Sequence, residues 1–326
     1  MMAASAALLA APQRSTLTVD ASTRLLVVAP HPDDETLAAG GLMQRVHAAG
    51  GVVRVVYLTD GEGFPAGVQA EEGRTDVKPS DYRDYGRERK DEARAALRTF
   101  GIHGDALTFL GFPNEGLSRL LTAYWSDRRA PYESPFTRRD RPRPSEILEP
   151  NTKFHGEDLT QELAMIVSAF KPTMIVTPRK EDQHVDHCAA WFFTADALGD
   201  VTRVDPGYRT DLITYVIHFD SWPWSGEVPE LSGGRSGWLH LRLSDREKAA
   251  KLEAIHKYKT QMKMMDWFLE AFARGEEVFS RPAPPKVALP LKTSPCDQFK
   301  SEPKMESPRA HARRSGRVST RTLPGR

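Results

Sequence analysis

A short apolar run that breaks directly into paired carboxylates constrains this chain more than any other feature. Leu25-Leu26-Val27-Val28 leads without a spacer into Ala29-Pro30-His31-Pro32-Asp33-Asp34-Glu35. A nearly continuous apolar run of that length reads as a strand covered on both faces, and open α/β sheets gather their chemistry at the ends of such strands. A second run, Met174-Ile175-Val176, is followed by Asp182-Gln183-His184-Val185-Asp186-His187. Two His/Asp clusters, each beyond a strand, can meet at one metal ion.

Between and after these clusters the pattern alternates. Strands are expected over Arg24–Ala29, Val52–Leu58, Ala106–Leu110, Met174–Thr177 and Leu212–His218. Helices are expected over Glu35–Ala49, from Ser80 to about Phe100, and over Asp158–Phe170 and His187–Leu198. One long helix is expected over Ser244–Phe272, with Ser244 and Glu247 forming a capping box. Ser118 to His155, rich in Pro, Arg and aromatic residues, shows no period and reads as a long binding loop or lid. The alternation argues for a Rossmann-like α/β fold, a mostly parallel sheet with helices on both faces.

Residues 1–23 read as an unstructured leader, 24–280 as one domain, and 281–326 as a basic, proline-rich, disordered tail. The first twelve residues are small and apolar like part of a signal peptide, but the first basic residue is Arg14. Cytoplasmic residence is favoured, with export left open. The two cysteines, Cys188 and Cys296, are expected to stay unpaired because the second lies in the tail; two thiols fit a reducing compartment. A net charge of +1 on 326 residues gives no electrostatic case for nucleic acid. No run approaches the roughly 18 apolar residues of a membrane span. A small molecule is the expected partner, and self-association into a homo-oligomer is left open.

The residue types define the chemistry. In His31-x-x-Asp34 one helical turn puts both side chains on one side, and His187 supplies a third ligand from the second strand mouth. Two imidazoles and one carboxylate suit Zn2+ with a position open for water, and Fe2+ also suits them. Asp33, adjacent to a ligand but pointing elsewhere, is free to act as general base. His184 is placed to stabilise an oxyanion or act as general acid, with Asp186 and Asp182 as carboxylates that orient it. The Gly-x-Gly-x-x-Gly fingerprint is missing after the first strand, which disfavours a dinucleotide enzyme.

The run Val27 to Thr36 with Gly40-Gly41, together with His184-Val185-Asp186-His187 and Arg89-Lys90-Asp91-Glu92, resembles the LmbE-like or PIG-L family of zinc-dependent N-deacetylases. The resemblance covers roughly residues 24 to 220. It implies a metal site of His31, Asp34 and His187, a base at Asp33, and His184 assisted by Asp186. It also implies that Arg89 contacts substrate hydroxyls or a phosphate; a simple ion pair with Asp91 or Glu92 on an exposed helix face is the competing reading. Asn114 stands where the family often has Asp, and can still bind a sugar hydroxyl without the charge. The expected reaction is removal of an N-acetyl group from an amino sugar or its conjugate. Two alternatives stay open: a related amidase acting on a larger conjugate, and a catalytically silent carbohydrate-binding protein that uses the basic tail. His218, Trp222 and Trp224 at the fifth strand mouth either stack on a sugar ring or pack in the core.

Overall fold

The computed structural model of the chain describes residues 17–224, 228–229, 237–282 and 288–299. Seven strands form one sheet: β1 (Arg24–Ala29), β2 (Val52–Thr59), β3 (Leu107–Phe112), β4 (Met174–Pro178), β5 (Asp211–Tyr215), β6 (Trp238–Arg242) and β7 (Glu276–Ser280). Their order is β3-β2-β1-β4-β5-β7-β6. The first five are parallel, and β7 runs antiparallel to both β5 and β6.

Helices cover both faces because side chains alternate along each strand. Leu25 and Val27 face a layer with Leu42, Ala96 and Ile255, whereas Leu26 and Val28 face another with Leu163, Val167 and Trp191. The first layer is closed by α1 (Asp34–Ala48), α3 (Pro79–Arg98) and α7 (Asp245–Ile255); the second by α5 (Gly156–Phe170) and α6 (Val185–Val204). Shorter helices are α2 (Pro65–Glu72) and α4 (Leu117–Leu120), and α8 is Lys259–Glu270. The chain turns from β1 towards β2 on one side and from β4 towards β5 on the other. The carboxyl ends of β1 and β4 therefore flank the switch point of the sheet, where ligands of such folds bind.

Three expectations need correction. The single helix expected over Ser244–Phe272 is two, α7 and α8, separated by His256–Tyr258, although the Ser244/Glu247 capping box is present. Strands β6 and β7, which extend the sheet with an antiparallel edge, were not expected at all. The third correction concerns the terminal segments. Leu17 is buried, so the leader is packed by that point, and its earlier part lies outside the described residues.

In the tail, residues 288–299 dock on the second layer through Leu289, Leu291 and Phe299. The Leu291 N–H donates to the Leu121 carbonyl (2.8 Å). Cys296 is fully buried and bridged to Cys188, 108 residues away. Composition flags proline-rich, acid-poor sequence as unable to build its own core. It carries no information about a partner groove supplied by another part of the chain. With both cysteines paired, the thiol count no longer argues for a reducing compartment. Among the described residues, no helix is long and apolar enough to cross a membrane.

Candidate active site

The turn after β1 is held in an uncommon backbone conformation. Asp33 has φ 131° and ψ −32°, which an L-residue adopts only when its surroundings impose it. Two groups do so. The buried Glu35 carboxylate accepts the Asp33 N–H (3.1 Å), and Arg89 from α3 donates to the Pro32 carbonyl (2.8 Å) while its Nη2 lies 3.3 Å from Asp33 Oδ2. Glu35 is braced in turn by the hydroxyls of Tyr258 and Thr36. The effect is to aim Asp33 and Asp34, neighbours in sequence, at different targets.

His31, Asp34 and His187 converge. His31 Nδ1 is 3.2 Å from Asp34 Oδ2, Asp34 Oδ2 is 3.2 Å from His187 Nε2, and the two ring nitrogens are 3.3 Å apart. A tetrahedral cation with bonds of about 2.0–2.1 Å requires donor atoms roughly 3.3 Å apart along each edge. The donor set and its spacing therefore fit a divalent transition-metal ion, with one corner left for solvent or substrate. All three side chains are buried, at 7%, 2% and 0% relative exposure. Such burial without a charge partner would be costly.

Each imidazole has a carboxylate behind it. Asp182 Oδ2 lies 3.2 Å from His187 Nδ1, in ion-pair range, and accepts the Ile217 and His218 N–H groups. Asp186 Oδ2 lies 3.4 Å from His31 Nε2. This carboxylate–imidazole arrangement orients metal ligands. Burial pushes the Asp34 carboxyl up, but the His187 and His31 imidazoles overcome it and hold the group well below its ordinary range. Burial lowers His187, but Asp182 and Asp34 raise it well above its ordinary value.

The role expected for Asp186 is corrected here. Its carboxylate does not touch the His184 ring. It accepts from Asn114 Nδ2 (2.9 Å), the Glu115 N–H (2.6 Å) and the Leu117 N–H (3.2 Å), on the far side from His184. Only the Asp186 backbone meets the ring, with its N–H donating to His184 Nδ1 (3.2 Å). An Nδ1 that accepts leaves the proton of the neutral ring on Nε2. His184 thus presents an N–H rather than a lone pair. This separates it from the two ligand imidazoles, although all three rings bring a nitrogen within 4.8 Å of one another. Burial and the neighbouring His31 and His187 also hold its pKa well below the ordinary value, so the ring is neutral. A general acid that starts protonated does not fit this environment.

Arg89 is buried rather than on an exposed face, and it pairs with neither Asp91 nor Glu92. Its two Nη groups are committed to the Gly61 and Pro32 carbonyls, and its Nε has no partner among the described residues. Gly61 has φ +66°, and a Cβ there would collide with the guanidinium. Asn114 is likewise engaged within the protein. Its Oδ1 accepts the Gly63 N–H (2.8 Å), and its Nδ2 faces both Asp186 and His31 Nε2. An Asp at this position would set a second carboxylate against Asp186. Both residues still line a cavity of about 380 Å³ that opens over His31, Asp33, Asp34 and His184.

Several contributors had little or no sequence signal. Glu62 is buried with one oxygen accepting the Asn114 N–H (3.2 Å), and burial with nearby Asp60 pushes its carboxyl up to about 8. His218, which lies beyond β5, faces the cavity with its ring 5.3 Å from His184 and 5.0 Å from His187. The same cavity is walled by α8, which the sequence marked only as helical. Of the two tryptophans, Trp222 is buried against Phe272, and Trp224 packs on Trp267.

Known proteins share parts of this plan. A relative from Mycobacterium sp. (strain KMS), named 1D-myo-inositol 2-acetamido-2-deoxy-alpha-D-glucopyranoside deacetylase, is 29% identical over 228 residues. That match covers 68% of this chain and 63% of the relative's length. GalB, the 4-carboxy-2-hydroxymuconate hydratase of Pseudomonas putida KT2440, superposes with a TM-score of 0.50 at 15% identity, over 84% of this chain and all of that one. N,N'-diacetylchitobiose deacetylase from Pyrococcus horikoshii gives 0.48 at 17% identity, over 78% and 82% of the two chains. Residues 26–198, just over half of the chain and the part that carries both His/Asp clusters, match the family model described as GlcNAc-PI de-N-acetylase, and the chain belongs to that PIG-L family.

Proposed function

We propose that this protein is a zinc-dependent hydrolase that removes an N-acetyl group from an amino sugar or its conjugate. The observation that carries the reading is the triangle of His31 Nδ1, Asp34 Oδ2 and His187 Nε2, 3.2–3.3 Å on each side, with Asp33 beside it. The names of the family model and of the mycobacterial relative support the same reaction class.

His31, Asp34 and His187 would hold the cation, and when bound it lowers the pKa of water and polarises a carbonyl. Asp33 takes the proton of the attacking water. Its carboxyl is suited to that task because burial pushes it up to about 7, against the pull of Arg89. The His184 Nε2–H donates to the carbonyl oxygen as it becomes an oxyanion. The C–N bond then breaks, and the proton held by Asp33 passes to the departing nitrogen, giving acetate and a free amino sugar. Arg89 and Glu35 act on Asp33 and not on the substrate; they keep its carboxylate aimed.

The test is acetate release from a panel of N-acetylglucosaminyl compounds by protein loaded with zinc and by the same protein stripped with chelator. Release that needs the metal is the expected result. Zinc bound stoichiometrically with no release from any member would overturn the reading.

A further inference from the structure

The cavity over the triangle has two unlike halves. One is polar and belongs to the reaction. The other is made by Phe64 and by α8, through Met264, Met265, Trp267 and Phe268. α8 lies outside residues 26–198, so family membership says nothing about this wall. Consecutive residues of a regular helix point about 100° apart. Here α8 breaks at Met265 (φ −149°, ψ 43°), and Met264 and Met265 both line the cavity.

The wall is also continuous with the reacting end. Ring centroids run from His184 to His218 at 5.3 Å, to Phe268 at 5.5 Å, to Trp267 at 5.9 Å and to Trp224 at 5.4 Å. Phe64, Met264, Met265 and Trp267 all remain half-buried around this track. A hexosamine presents hydroxyls on most of its edges and would leave these side chains uncovered. Methionine and tryptophan grouped at a cavity suit an apolar ligand of adaptable shape.

The geometry points to a substrate whose amino-sugar head carries an alkyl or aryl group, lodged between Phe64 and the Met264–Phe268 wall. The group is borne either as the acyl chain or as the aglycone. This inference rests on the hydrolase reading only for the identity of the head group.

Two substrate series separate the sources. One lengthens the N-acyl chain on a methyl glucosaminide, and the other lengthens the aglycone of an N-acetylglucosaminide from methyl to octyl. The zinc-loaded full chain is expected to show kcat/KM rising about tenfold or more along one series, since each buried methylene is worth roughly fourfold. Trp267→Ser and Met265→Gln are expected to flatten that rise. A binding measurement free of turnover accompanies it: calorimetry of octyl against methyl glucosaminide, neither of which has an amide. Octyl is expected to bind at least about tenfold more tightly to wild type, and no more tightly than methyl to Trp267→Ser. Turnover with flat profiles in both series, and equal binding of the two glucosaminides, would overturn the inference and leave the hydrolase reading standing. A rise that survives both substitutions would overturn it as well. Absent turnover with Trp267-dependent binding of the octyl compound would sink the hydrolase reading and keep the apolar subsite.

Discussion

At the scale of single residues, two neighbouring aspartates carry opposite duties because their surroundings differ. Asp34 faces two imidazoles and stays ionised; Asp33 is buried with one guanidinium and is pushed up to about 7. Asp33→Asn should therefore cost roughly 10²–10⁴-fold in turnover while zinc per chain, measured by metal analysis, stays the same. Loss of metal with activity would refute the division of roles. The pH dependence follows from the direction of the same shift. The base works deprotonated, so kcat/KM should fall as pH drops through its pKa, which in the loaded enzyme lies at or below about 7 because a cation acts in the same direction as Arg89. Arg89→Met removes that downward pull and should move the acid limb of the profile to higher pH. An Arg89 that only bound substrate would raise KM and leave the limb in place. The motif made His31, Asp34 and His187 legible as a set. The pairing of Asp182 with His187 and of Asp186 with His31 was not legible, because positions 182 and 186 are equally near His184 in sequence.

Among the elements, α1 shows how distant segments complete the turn that carries the ligands. The helix kinks at Ala39 (φ −132°, ψ 17°), which frees the N–H groups of Gly41 and Leu42. Glu277 of β7 accepts both, at 2.7 and 2.9 Å. Lys251 of α7 donates to the Leu37 carbonyl (2.8 Å) and pairs with Glu277 (2.7 Å). The buried pair thus replaces the missing rungs of the helix. Lys251→Met leaves the Glu277 carboxylate unpaired in the interior and should cost about 3–5 kcal/mol in urea unfolding. A loss under about 1 kcal/mol would show that the pair is dispensable. The tail is a second such element. Cys296→Ser opens a loop of 108 residues and should lower stability by roughly 2–4 kcal/mol, read as a drop in Tm that reductant reproduces in the wild type. An unchanged Tm would mean that residues 288–299 are held by packing alone. Deleting residues 281–326, which the tail's composition presents as harmless, would remove both the bridge and the Leu289, Leu291 and Phe299 contacts.

Across the whole molecule, the sheet brings together groups more than 150 residues apart, so a bound cation should also act as a cross-link. Zinc at a hundredfold excess over its Kd is expected to add about 2.7 kcal/mol of stability, and chelator should lower Tm accordingly. Equal melting with and without metal would mean that the triangle does not bind it. The plan itself does not dictate one reaction, since a hydratase shares it with a TM-score of 0.50. The site decides the reaction, and the cavity beside it decides the substrate. The sequence by itself determined the parallel strands, the switch point and the ligand triad, because short apolar runs and His/Asp spacing are local patterns. Only the tertiary structure decided which carboxylate backs which imidazole, why Arg89 points inward, where Cys296 docks, and that α8 closes the cavity with apolar groups. Those outcomes depend on contacts between segments far apart in the chain, and no local pattern encodes which distant surface a residue will meet.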